Sequence, residues 1–74
     1  VKIFPNPTSN FLTFSIKEVD KIDVTILDLQ GKVIFQRSGV LNNDKINLSS
    51  YVDGNYIIKI TSPIIKKEIQ ITKY

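Results

Sequence analysis

The side chains suited to acid–base or nucleophilic work are seven carboxylates, Glu18, Asp20, Asp23, Asp28, Asp44, Asp53 and Glu68, set among ten lysines and arginines. Histidine and cysteine are both absent, which removes the commonest general base, the thiol nucleophile, the usual zinc ligands and any disulfide. Two carboxylates facing each other across a cleft could hydrolyse a glycosidic bond. Here the acids fall at expected strand edges and turns, where aspartate usually shapes the backbone. A chain of 74 residues buries only roughly 60% of its unfolded surface and has little room for a cleft. The sequence therefore reads as non-enzymatic, with no catalytic, cofactor-binding or metal-binding residue assigned and no cofactor expected.

The basic side chains are distributed more tellingly. Up to Asn55, Lys2, Lys17, Lys21, Lys32, Arg37 and Lys45 balance the acids, whereas from Tyr56 onward Lys59, Lys66, Lys67 and Lys73 stand against Glu68 alone and carry the whole net charge of +3. Lysines on an exposed edge strand hinder pairing with neighbouring molecules, and the same lysines could form a docking face for a receptor or an acidic surface. Nucleic acid is a poor partner for that segment, because no aromatic side chains interleave with these lysines as a stacking platform. An adhesive or carbohydrate-binding module would need an aromatic platform or a calcium cluster, for which Phe11, Tyr51 and Asp44 with Asp53 are the candidates. A structural spacer domain is a further alternative.

The elements that must hold these side chains are strands. Leu12, Phe14 and Ile16 alternate with Thr13 and Ser15, and Ile22, Val24 and Ile26 alternate with Asp23 and Thr25, the period of a strand with one buried face. Tyr56, Ile58 and Ile60 repeat the pattern after Gly54, whose position calls for positive φ or close backbone approach. Asp28-Leu29-Gln30-Gly31 fits a type I turn with Gly31 left-handed, followed by a return strand over 32–36. Asn42-Asn43-Asp44 is a second turn, before a short strand around Ile46 and Leu48. Ser62-Pro63 breaks the chain, and a last strand is expected over 64–72. The first strand, Lys2 to Phe4, must stop at Pro5-Asn6-Pro7, since proline lacks a ladder donor and extends the residue before it.

About seven short strands at turn-separated intervals give an all-β fold, a small immunoglobulin-like antiparallel β-sandwich, with residues 1–74 as a single domain. There is no initiator Met, and no basic start joined to a long apolar run, so neither a signal peptide nor a transmembrane helix is expected within this stretch. The chain reads as a piece of a longer precursor whose export signal would lie upstream.

Four motifs in order, Ile3-Phe4-Pro5-Asn6-Pro7-Thr8-Ser9-Asn10, Asp28-Leu29-Gln30-Gly31-Lys32-Val33-Ile34, Ile46-Asn47-Leu48-Ser49-Ser50-Tyr51-Val52-Asp53-Gly54-Asn55-Tyr56 and Lys66-Lys67-Glu68-Ile69-Gln70-Ile71, resemble the type A C-terminal sorting domain of type IX secretion cargo. Phe4 stands where that family commonly has Tyr, and Tyr51 and Val52 where it commonly has Leu and Pro. The resemblance implies a non-catalytic secretion signal, fused to an N-terminal cargo domain, of a protein that reaches the surface or exterior of a Gram-negative bacterium through periplasm and outer membrane. It implies as partners the type IX translocon, its outer-membrane shuttle protein and a sortase-like cysteine peptidase that cuts upstream of the sandwich. Nucleic-acid binding and direct membrane insertion are not implied. The candidate recognition residues that follow from the resemblance are Pro5, Asn6, Pro7, Gly54, Tyr56, Lys66, Lys67 and Lys73, with Gly54 and Tyr56 also expected to serve the fold and the lysines expected to be exposed.

Overall fold

The computed structural model describes all 74 residues, in seven strands: β1 (Lys2–Phe4), β2 (Phe11–Ser15), β3 (Lys21–Leu27), β4 (Val33–Leu41), β5 (Lys45–Asn47), β6 (Gly54–Thr61) and β7 (Lys66–Lys73). They form two antiparallel sheets, a three-stranded one in the order β1-β2-β5 and a four-stranded one in the order β4-β3-β6-β7. The expected small all-β sandwich is what the chain adopts. In the immunoglobulin constant arrangement the fourth strand completes the sheet of the first, second and fifth. In this chain β4 stays bonded to β3 instead.

Side-chain alternation decides which face of each strand turns inward. Leu12, Phe14 and Ile16 face Ile22, Val24, Ile26, Tyr56, Ile58, Ile60 and Ile71 across the sandwich, and Val40, Ile46 and Leu48 complete a core of thirteen buried apolar side chains. All three alternating triplets read from the sequence are in it. Thr8 and Lys73 are the two buried polar residues.

Two strand boundaries depart from expectation. The return strand runs to Leu41 rather than ending at Gln36, because its pairing with β3 shifts register between Ile22 and Val24. A bulge there interrupts the alternation that would have revealed the extension, and the Asp23 carboxylate accepts the Gly39 N–H at 3.2 Å. The last strand starts at Lys66, not Ile64. The Ser62 N–H donates to Ile65 O at 2.8 Å, while the Ser62 hydroxyl accepts the Ile64 and Ile65 N–H groups, so this apolar pair closes a turn and leaves Ile64 in solvent.

The two expected turns are present. The Gly31 N–H donates to Asp28 O at 3.1 Å, with Gly31 at φ 87°. Asn43, at φ 70°, donates its N–H to Phe14 O at 2.7 Å, and Phe14 N–H donates to Asp44 O at 3.0 Å. The turn between β4 and β5 thereby continues the pairing of β2 beyond the end of β5.

Candidate recognition surfaces

The Pro5-Asn6-Pro7 corner moves the chain from one sheet to the other. β1 ends at Phe4, and both the Phe4–Pro5 and Asn6–Pro7 peptide bonds are cis. Beyond the corner Thr8 lies parallel to β7: its N–H donates to Thr72 O, and Tyr74 N–H donates to Thr8 O, each at 2.9 Å. Asn6 extends this pairing with its side chain, donating from Nδ2 to Gln70 O at 3.1 Å and accepting the Thr72 N–H on Oδ1 at 3.2 Å. The buried Thr8 hydroxyl donates to Phe11 O at 2.6 Å and fixes the return into β2. The corner therefore covers the outer edge of β7 from Gln70 to its end, a job that an unpaired strand edge requires. Thr8 was not singled out in the sequence. Its only sequence signal is a hydroxyl residue directly after the second proline.

Gly54 and Tyr56 serve the start of β6. Gly54 has φ 152°, and a Cβ there would meet nothing within 4 Å, so backbone conformation rather than space selects glycine. Tyr56 is 8% exposed, and its hydroxyl donates to Val52 O. An amphipathic ring in the core with its hydroxyl tied to backbone just upstream is the arrangement of a tyrosine corner. Tyr51 packs against it, ring centroids 6.3 Å apart.

The lysines of β7 do not share a surface. Strand alternation sends Lys66 outward, opposite Thr61, whereas Lys67 and Lys73 lie on the inward side with Ile69 and Ile71. Lys67 sits at the open margin of the sandwich and reaches Val1 O at 3.5 Å. Lys73, expected to be exposed, is 7% exposed and its Nζ lies 2.8 Å from Asp53 Oδ1. The correction has a simple cause: Lys73 pairs with Gly54, which has no side chain to compete for the space, and Asp53 next to it supplies the counter-charge. On the outer face Lys59 pairs with Glu68 at 3.5 Å, and these two, with Thr61, Lys66 and the margin residue Lys67, line a shallow depression walled largely by aliphatic stems. At the opposite margin Arg37 closes the sandwich, 5.4 Å above the Phe35 ring and donating to Lys45 O at 3.4 Å.

All the acids except Asp20 are taken up by the fold. Asp28 accepts the N–H groups of Gln30 and Lys32, Asp44 that of Leu41 and Asp23 that of Gly39. Asp53 and Glu68 hold lysines. Glu18 accepts from the Val1 ammonium at 2.6 Å and from Lys17 N–H at 3.1 Å. These bonds, the ammonium first, lower its pKa from 4.5 to about 2. Asp44 and Asp53 are thus engaged separately, and no group of three acids converges on one point. Of the aromatic pair weighed for a platform, Tyr51 is committed to Tyr56 while Phe11 stands in solvent.

Comparison with known proteins adds what geometry alone does not. The family model described as secretion system C-terminal sorting domain matches residues 2–73. An endo-acting ulvan lyase from Formosa agariphila is 36% identical over 64 aligned positions, covering 82% of this chain and 12% of the lyase. The chain thus corresponds to about an eighth of that relative's length.

Proposed function

The chain belongs to the family of secretion system C-terminal sorting domains, and from that premise we propose that residues 1–74 act as one domain whose folded surface is read by a type IX translocon and its outer-membrane shuttle protein. A sorting domain of this family is itself a non-catalytic signal, carried by a protein destined for secretion or the cell surface. The observation that carries this reading is that the match runs from the first strand to the last, so the whole sandwich is the unit that presents the recognised surface. On this reading a larger passenger precedes it, a sortase-like cysteine peptidase cuts between the two, and the 12% share of the ulvan lyase that the match covers is compatible with such an arrangement. An address read by a receptor needs only a stable shape and surface chemistry.

The test is a periplasmic reporter carrying residues 1–74 at its C-terminus, expressed in cells with a working type IX system. The fusion should appear outside the cell or on its surface. Retention of intact, folded fusion in the periplasm would refute the reading.

A further inference from the structure

The outer face of the three-stranded sheet has a composition that folding does not require. Register places Lys2 beside Ser15, Phe4 beside Thr13 beside Lys45, and Phe11 beside Asn47, so these side chains share the face opposite Ile3, Leu12, Phe14 and Ile46. Phe4 and Phe11 are 47% and 46% exposed. They are diagonal neighbours on adjacent strands, a spacing of about 7–8 Å that large rings can span. Lys2 and Lys45 flank them, and Lys17 follows at the end of β2. None of the three makes an ion pair. The strands of this sheet contribute no carboxylate; the nearest, Glu18, lies beyond the end of β2 and lines a margin depression with Lys2, Ser15 and Lys17. The opposite sheet differs: its outer apolar row of Val33, Leu27 and Ile57 lies beside Asp23, Lys59, Glu68 and Lys66, where charges of both signs mix.

We infer that this face, with Phe4 and Phe11 at its centre and Lys2, Lys17 and Lys45 around them, is the docking surface through which the domain is sorted, and that its partner is an export protein presenting an apolar pocket rimmed by carboxylates. The inference rests on the sorting function proposed above. Aromatic anchors inside a charged rim are the usual anatomy of a protein interface, and lysines of one sign call for an acidic rim that steers approach. An anionic lipid surface would satisfy the charge, but lipid binding scales with buried apolar area, and two rings on a three-stranded face offer little of it.

The reporter fusion supplies the test, in three forms: wild type, Phe4→Ser with Phe11→Ser, and Thr13→Glu, which leaves both rings in place but sets a negative charge between them. All three should melt within a few degrees of one another, because each change faces solvent, and export should fall roughly tenfold or more in both variants. Lys2→Gln with Lys45→Gln should slow export less and weaken its dependence on ionic strength. Equal export of wild type, the double Phe variant and Thr13→Glu would overturn the surface while leaving the sorting function standing. Retention of the wild-type fusion would overturn both. Should Phe4→Ser with Phe11→Ser fail to fold, Thr13→Glu decides alone. In parallel, the purified domain is mixed with vesicles of phosphatidylcholine alone or with added phosphatidylglycerol. Co-sedimentation with the anionic vesicles that is lost in the Phe variant would overturn the protein partner in favour of lipid.

Discussion

Glu18 is the titrating group most affected by its surroundings, and its chief partner is the Val1 ammonium. A carboxylate whose folded pKa lies below its unfolded value stabilises the fold fully above the unfolded value. That contribution is lost as pH falls from about 4.5 through about 2. In a chain beginning at Val1, NMR titration should find the Glu18 midpoint near 2. In a chain extended upstream, where Val1 N is a peptide nitrogen, the midpoint should return towards the ordinary value, because the leading cause of the shift is gone. Identical midpoints in the two chains would show that the backbone N–H groups dominate instead. At this scale legibility depends on how local the cause is. The needs of Gly54 and Tyr56 arise within a few residues of chain, and both were readable from residue type and position. The burial of Lys73 depends on Asp53, twenty residues away in sequence, and on an empty place beside Gly54, neither of which a charge count along the chain reveals.

At the scale of elements, the Pro5–Thr8 corner is a strand substitute. β7 is an edge strand, and half of its outer edge is sealed by the Asn6 side chain and the Thr8 backbone. Asn6→Ala should remove both side-chain bonds at a cost of about 1–2 kcal/mol, seen as a fall of roughly 5–15 °C in melting temperature. It should also speed hydrogen exchange at Thr72 and promote self-association through the bared edge, read by sedimentation velocity. Asn6→Asp should behave as an intermediate case, since it keeps the acceptor for Thr72 N–H and loses the donor to Gln70 O. An Asn6→Ala protein with unchanged melting and exchange would mean that Thr8 alone holds the edge. The sequence marked this corner as the end of β1, because proline's constraints are local. Its docking on β7 is a contact across more than sixty residues and left no pattern in the chain. The length of β4 was hidden for a related reason, since a bulge breaks the alternation by which strands are recognised.

For the whole molecule, the radius of gyration of 11.4 Å matches the roughly 11 Å expected of a compact chain of this length, and thirteen apolar side chains supply the core. Both open sides of the sandwich are closed, one by the Pro5–Thr8 crossing with Lys67, the other by Arg37 and the Asn42–Asp44 turn. Every strand therefore depends on its counterpart in the opposite sheet, and local damage to the core should be felt everywhere. At the usual 0.05–0.15 kcal/mol per residue, a chain of this size has roughly 4–11 kcal/mol of stability to lose, with no disulfide to limit the loss. Ile58 lies between Ile26 and Ile69 at the centre of the larger sheet and is fully buried. Ile58→Asp would place an unpaired charge there at a cost of several kcal/mol, enough to unfold the domain. Thr25→Asp, on the outer face beside Lys59, should melt within a few degrees of the wild type. Because the docking face and the corner are both held by the same core, Ile58→Asp should also abolish protection of the Thr8, Thr72 and Tyr74 amides together, in one cooperative transition. Retained protection at the corner in an Ile58→Asp chain that has lost its core would show that β1, the corner and β7 form a unit independent of the sandwich.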